Sequence, residues 1–221
     1  MLHSALLNVM VKAARRAGRN LKRDLGEVEN LQVSLKGPAN FVSLADKRAE
    51  ETLYDELTKA RPGYGFIGEE GGTREGTDKA NLWIVDPLDG TTNFLHGIPH
   101  FAVSIALQRE GSLFAGLVYN PTNDELFLAE KGKGAFLNDQ RLRVAVRKKL
   151  NESVIACGLP HIGRGDFDVA PAELKEIQPR VAGLRRFGAA ALDLAYVAAG
   201  RFDGFWERNL SSWDMAAGMV L

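Results

Sequence analysis

The strongest signal in the chain is an apolar run that ends directly in acidic and hydroxylated residues, Trp83-Ile-Val-Asp-Pro-Leu-Asp-Gly-Thr-Thr-Asn-Phe94. The run from Leu82 to Val85 predicts a buried strand that delivers Asp86 to its end. Pro87 then predicts a turn, and Asp89 precedes small residues at which a helix could begin. Two carboxylates beside free backbone N–H groups suit divalent cations and phosphate together. An ordinary capped turn uses the same residue types, but it needs neither both acids nor both threonines.

The N-terminal segment is basic, because no acid occurs between Met1 and Arg23. Such a segment could be an organelle transit peptide or a nucleic-acid patch. However, apolar residues recur at helical spacing, which favours an amphipathic helix with a solvated basic face. The apolar positions are Leu2, Leu6, Val9, Ala13 and Ala17.

The pattern of elements changes near residue 150. After a break at Gly37-Pro38, the first part predicts a helix and then strands joined by short turns, which indicates an antiparallel meander. The second part predicts alternating strands and helices. The predicted helices cover about 45–60, 171–177 and 189–199, with another opening at Trp213, and the predicted strands cover 64–68, 101–108, 112–119, 125–130, 135–138, 154–157, 184–187 and 204–206. We therefore predict an α+β half, residues 1–150, followed by an α/β half, residues 151–221, with one shared cleft.

Composition excludes several classes of protein. Lys and Arg together number 28, as do Asp and Glu, so no global charge attracts nucleic acid. The single cysteine, Cys157, rules out an internal disulfide framework and any cysteine-based zinc site, and it is expected in the core of a protein from a reducing cytoplasm. No apolar run approaches the roughly 18 residues that span a membrane.

Four acids are candidates for one site: Glu69, Asp86, Asp89 and Asp214. Taken singly, Glu69 could be an exposed loop acid and Asp214 a helix cap. Taken together, carboxylates in one pocket would repel each other, and cations are the simplest compensation. Oxygen-only ligands favour Mg²⁺ or Mn²⁺ over zinc, so His96 and His100 are expected to be structural or rim residues.

These residues resemble the inositol monophosphatase family of Mg²⁺-dependent, lithium-sensitive phosphatases. The resemblance covers essentially the whole chain and implies the layered αβαβα sandwich of the sugar phosphatases. It is closest to the bacterial SuhB-like subgroup. The segments that carry it are Gly68 to Glu70, Trp83 to Phe94, His100 to Ile105, Gly188 to Gly204 and Trp213 to Gly218.

The resemblance implies two or three Mg²⁺ ions, with Mn²⁺ as a possible substitute. Glu69, Asp86 and the carbonyl of Leu88 would hold the first ion. Asp86 would bridge to a second ion, held also by Asp89 and Asp214. The resemblance also places Glu69 among the catalytic residues.

The resemblance also implies roles for the reacting groups and the substrate. Thr91 would orient the attacking water, and Asp46 would polarise the threonine hydroxyl. Asp89 and the N–H groups of Gly90 and Thr91 would lie on the substrate side, against the phosphate. Gly188, Ala189, Ala190 and Glu207 match positions that contact the substrate ring, where Glu207 would accept hydrogen bonds from substrate hydroxyls.

The implied activity is hydrolysis of inositol 1-phosphate or a related small polyol or sugar phosphate, and a homodimer is expected. Fructose-1,6-bisphosphatase and histidinol-phosphatase activities stay open, as does a non-catalytic partnership with the transcription or RNA-processing machinery. Relatives continue beyond the position of Leu221, so an open hydrophobic face is expected there. Ser43 stands where many relatives have threonine.

Overall fold

The computed structural model describes residues 4–27, 33–36, 40–161 and 165–221, with side chains left out over 33–36 and 40–43. Leu2, the break at Gly37-Pro38 and the side chain of Ser43 lie outside the described part. The helices are α1 (Ala5–Leu25), α2 (Leu44–Ala60), α3 (Thr91–Leu95), α4 (Val169–Ile177), α5 (Ala190–Ala198) and α6 (Ser212–Val220). The strands are β1 (Val33–Lys36), β2 (Asn40–Ser43), β3 (Tyr64–Gly68), β4 (Gly72–Arg74), β5 (Asp78–Asp89), β6 (Ala102–Arg109), β7 (Ser112–Asn120), β8 (Glu125–Glu130), β9 (Gly134–Leu137), β10 (Gln140–Arg141), β11 (Val154–Cys157), β12 (Gly183–Arg185) and β13 (Gly204–Trp206).

An eight-stranded sheet forms the centre of the molecule, in the order β10-β9-β8-β7-β6-β5-β3-β4. Strands β5 to β10 pair in sequence as an antiparallel meander, which confirms the predicted arrangement. One pair departs from it, because β3 runs parallel to β5. A parallel pair places the carboxyl ends of two strands at the same edge of the sheet, and the acids described below lie at this edge.

The large sheet separates two hydrophobic cores. On one face α1 and α2 pack with the sheet around Met10, Leu53, Trp83 and Phe94. The predicted amphipathic α1 is confirmed, since its apolar side chains lie in this core while its basic side chains stay exposed. On the other face α5 and α6 pack around Ile84 and neighbouring residues of the sheet. Each helix therefore buries one stripe against a strand surface that is apolar on both sides.

A three-stranded parallel sheet, in the order β12-β11-β13, lies beyond α5 and α6. Ala156 of β11 belongs to the same core as α5 and α6, and β13 contacts α5. Glu173 of α4 accepts a hydrogen bond from Trp206 Nε1 at 3.2 Å. The resulting mixed α/β layers agree with the predicted fold class. Cys157 is free and buried, at the end of β11.

Two predicted boundaries were wrong. Strand β5 does not end in a turn at Pro87 but continues to Asp89, with a shift of register against β6 between Asp86 and Asp89. Proline is tolerated there because the irregular pairing demands no ladder hydrogen bond from it. Strand β12 ends at Arg185 rather than near residue 187, where Phe187 is exposed. Within the described residues, no helix has the length and apolar content needed to cross a bilayer.

Candidate active site

The site begins where the parallel pairing of β3 with β5 ends. Gly68 and Val85 form the last pair, so Glu69 and Asp86 follow next to each other, and Asp86 stays paired with β6. Strand β3 is followed by a tight segment of glycines and acids, and β5 by the irregular stretch around Pro87. Local sequence predicted each acid at a strand end, and the parallel pairing brings the two ends together.

Asp86 is almost completely buried, with 1% of its surface exposed. Its Oδ1 accepts a hydrogen bond from Leu88 N at 2.9 Å, within the irregular end of β5. Burial raises the pKa of Asp86 well above its usual value, and the charges of Glu69, Asp89, Asp46 and Asp214 raise it further. Asp86 is thus an acid surrounded by acids, which favours either a proton or an external cation at this place.

Asp89 is buried as well and connects the two halves of the chain. Its Oδ1 and Oδ2 accept hydrogen bonds from Ala190 N at 3.2 Å and Ala191 N at 2.8 Å, at the start of α5. Burial raises the pKa of Asp89 well above its usual value, and among neighbouring acids Asp214 contributes most, while the Ala191 bond opposes the rise. Asp89 therefore fixes α5 against the strand end in addition to its predicted role.

Asp214 is the helix cap that the sequence offered as one interpretation, and its charge also reaches the other acids. It forms a capping box at the start of α6, where its Oδ2 accepts a hydrogen bond from Ser211 N at 2.7 Å. Its charge nevertheless acts on both Asp86 and Asp89. The helix start therefore places a buried carboxylate close to Asp86 and Asp89.

Thr91 begins α3, directly after Gly90, whose φ of 91° requires a residue without a side chain. The Thr91 hydroxyl lies 2.9 Å from Leu88 O and 3.3 Å from Asp46 Oδ2. Asp46, in the first turn of α2, is 1% exposed. The predicted pair of Thr91 and Asp46 is thus present, 45 residues apart in sequence.

The predicted substrate residues lie across from this strand end. A Cβ placed on Gly90 would come within 3.3 Å of both the Ala189 Cβ and the Gly188 carbonyl oxygen. Asn93 keeps this second segment close to the acidic motif, since its Nδ2 donates hydrogen bonds to His100 O and Phe187 O at 2.8 Å each. The charge of Glu207 acts on Asp89, which places Glu207 near the acidic motif.

The donor set suits a hard divalent cation. Five carboxylates interact through their charges here and offer only oxygen, as does the nearby Leu88 carbonyl, and oxygen is the ligand that Mg²⁺ prefers. Within the described ranges, no three His, Cys, Asp or Glu side chains already form a converged metal-binding group. The acids repel each other, and either a proton or a cation would compensate that repulsion.

Comparison with known proteins decides the family. The sequence matches the inositol monophosphatase family over residues 3–221. The chain belongs to the inositol monophosphatase family. This confirms the resemblance carried by the acidic motifs, and it makes the chain a phosphatase.

Relatives of this inositol monophosphatase family member carry two kinds of name. An inositol-1-monophosphatase of Rhizobium meliloti is 63% identical over 221 residues, which are 100% of this chain and 83% of the relative. A protein of Pseudomonas aeruginosa named Nus factor SuhB is 45% identical over 220 residues, 98% of this chain and 81% of the relative. The crystal structure of the extragenic suppressor protein suhB from Bartonella henselae has a TM-score of 0.96 and 60% identity, covering 98% of this chain and 83% of that one.

Sequence reasoning gave no role to three residues that border the phosphatase site. Asn93 lies inside the acidic motif but was not assigned. Asp193 is buried on α5, and burial followed by the charge of Glu207 raises its pKa to about 7. Glu50 lies one helical turn after Asp46, and this spacing was the available signal that both face the same way.

Proposed function

We propose that this chain is a Mg²⁺-dependent phosphomonoesterase that hydrolyses inositol 1-phosphate or a related small polyol or sugar phosphate with a water molecule as nucleophile. The observation that carries the proposal is the pair of buried acids, Asp86 and Asp89, whose pKa values are raised by burial and by other acids. A protein core tolerates such a cluster only with protons or a compensating cation.

Different subsets of the acids would bind each of two or three Mg²⁺ ions, for which Mn²⁺ could substitute. Glu69, Asp86 and the Leu88 carbonyl would hold one ion. Asp86 would share a second with Asp89 and Asp214. When bound, Mg²⁺ would lower the pKa of a coordinated water and neutralise charge on the phosphoryl and leaving oxygens. Glu69, which is half-buried at the strand end, would also face the nucleophilic water.

Thr91 would orient that water. When its hydroxyl donates its proton to Asp46 Oδ2, the Thr91 oxygen keeps lone pairs that accept a hydrogen bond from the water. The lone pair of the water would then face the phosphorus atom. Burial of Asp46 prevents bulk solvent from competing for the threonine proton. Asp46 would therefore act through Thr91.

The substrate would lie between the acidic motif and the start of α5. We propose that the N–H groups of Gly90 and Thr91, on the same side as Asp89, contact its phosphate, and that Gly188, Ala189 and Ala190 pack against its ring. Glu207 would accept hydrogen bonds from ring hydroxyls. Residues 1–150 would thus form the metal-binding half and residues 151–221 the substrate-binding half, in a cytoplasmic homodimer.

The test of this function is release of inorganic phosphate from inositol 1-phosphate, with and without Mg²⁺, by wild type and Asp86→Asn. Fructose 1,6-bisphosphate and histidinol phosphate are assayed as alternative substrates, and added Li⁺ is expected to inhibit phosphate release. Asp55→Asn, an exposed change of the same chemistry on α2, is the matched control. Mg²⁺-independent release, or full activity in Asp86→Asn, would overturn the proposal.

A second function is favoured by the 45% identity to a protein named Nus factor SuhB. We propose that association with the transcription or RNA-processing machinery coexists with catalysis. Direct binding of nucleic acid by α1 is less favoured, because Lys12 and Arg16 pair with Glu56, and Arg23 with Asp24. Loss of function in cells carrying Asp86→Asn would exclude a purely non-catalytic role. Absence of polymerase binding at physiological salt would remove the partnership.

A further inference from the structure

Glu50 is a buried carboxylate outside the predicted catalytic set, beneath the segment that carries Glu69. It lies on α2 with 2% of its surface exposed. Its Oε2 accepts a hydrogen bond from Glu70 N at 2.8 Å, and its Oε1 accepts one from Gly71 N at 2.6 Å. Each carboxylate oxygen therefore accepts a hydrogen bond from one of the two backbone N–H groups that directly follow Glu69.

The glycines on either side of this segment make room for the same carboxylate. A Cβ on Gly68 would come within 2.3 Å of Glu50 Oε2, and a Cβ on Gly71 within 2.6 Å of Glu50 Oε1. Neither glycine has a positive φ, so backbone conformation alone does not require glycine at these positions. The requirement comes from the close approach of Glu50 to the backbone.

Helix α2 thereby carries two buried acids one turn apart, each directed at the site. Asp46 reaches Thr91, and Glu50 reaches the backbone after Glu69. The helix itself is fixed by packing on α1 and the sheet through Leu53 and Leu57. It follows that a rigid element determines where the β3 end places its acid.

We propose that Glu50 is a positioning residue for metal binding, which fixes the Glu69 backbone through the N–H groups of Glu70 and Gly71 without touching the ion. The inference rests on the proposed role of Glu69 as a metal ligand. Two donors require two acceptors, which a carboxylate has and an amide lacks. Glu50→Gln keeps the size of the side chain but directs an NH₂ group at one of the two N–H groups.

The experiment is calorimetric titration of the whole chain with Mn²⁺, without substrate. Glu50→Gln is expected to weaken Mn²⁺ binding about 10-fold, the lower end of the effect of residues that orient ligands. Glu50→Asp, which keeps two acceptor oxygens, is expected to recover part of the affinity. The matched control is Glu56→Gln, a buried acid on the same helix that pairs with Lys12 and Arg16, and its affinity should stay within about twofold of wild type.

Two further measurements separate positioning from a general loss of structure. Amide hydrogen exchange at Glu70 and Gly71 should speed up in Glu50→Gln, while exchange in α1 stays unchanged. The Mg²⁺ concentration for half-maximal phosphatase activity should rise, with kcat at saturating Mg²⁺ largely kept. If Glu50→Gln does not fold, Gly71→Ala displaces the same carboxylate from the other side and should weaken Mn²⁺ binding likewise.

The outcomes distinguish this inference from the function on which it rests. Wild-type Mn²⁺ affinity in folded Glu50→Gln, while Glu69→Gln loses affinity, would overturn the positioning role alone. Unchanged Mn²⁺ binding in Glu69→Gln, or no Mn²⁺ binding by wild type, would overturn both. Equal weakening in Glu56→Gln would also overturn the positioning role, since the effect would then belong to the helix as a whole.

Discussion

Buried acids in this molecule have two opposite kinds of surroundings. On α2, Glu56 is paired with Lys12 and Arg16, and these cations hold the pKa of Glu56 below its usual value. At the strand end, burial and neighbouring acids raise the pKa of Asp86. Glu56 is neutralised by the chain's own side chains, whereas the acids around Asp86 raise its pKa, which favours a bound proton or a cation. That difference is the physical argument for a cation site.

The largest expected effect separates the groups by activity. Asp86→Asn should lower phosphate release about 1000-fold, because loss of metal-based charge stabilisation is worth several kcal/mol in the transition state. Glu56→Gln should stay within a fewfold of wild type. Steady-state kinetics at saturating Mg²⁺ measures both. Comparable losses in the two variants would show that the strand-end acids have no special role.

The next effect is a pH dependence of stability, measured by thermal melts in EDTA. Because the folded-state pKa of Asp193 is raised to about 7, its neutral form favours folding. That contribution is present below about pH 4 and is lost as pH rises through about 7, for a change of at most about 4 kcal/mol. Asp193→Asn should flatten this fall. If stability fell equally with pH in wild type and in Asp193→Asn, the raised pKa of Asp193 would be contradicted.

The smallest effect has the opposite sign and concerns Glu56. Since its folded-state pKa is lowered, Glu56 stabilises the protein above its unfolded-state pKa and loses that contribution as pH falls through the lower folded-state pKa. Glu56→Gln should cost about 1 kcal/mol at pH 7, because both cations are exposed to screening solvent. Urea unfolding at pH 7 and pH 3.5 measures it, and the difference between variant and wild type should shrink at the lower pH.

Local patterns predicted much of this architecture. The periodicity of α1, the meander and the buried strand before Asp86 depend on residues close in sequence, and these predictions are confirmed apart from the end of β5. The contact of Asp89 with Ala191 joins residues 102 apart, and local sequence carries no signal for such a pairing. The parallel register of β3 and β5 is equally non-local, although it decides that Glu69 and Asp86 are neighbours.

The site residues were named largely through resemblance to a family, and spacing alone left Glu69 and Asp214 ambiguous. The structure explains why, since Asp214 is a genuine helix cap as well as a neighbour of Asp89. Glu50 went unrecognised because a buried glutamate on an amphipathic helix has no motif of its own. Only the approach of the Glu70 and Gly71 backbone reveals what it binds.

The most direct test of the central claim is a thermal melt of wild type and Asp86→Asn, each with EDTA and with saturating Mg²⁺. Without Mg²⁺, the variant should be at least as stable as wild type, because it removes one charge from a repelling cluster. With Mg²⁺ at about 100 times its dissociation constant, wild type should gain about 2.7 kcal/mol and the variant much less. A wild type that is indifferent to Mg²⁺ and more stable than Asp86→Asn in EDTA would contradict the claim that these acids require a cation.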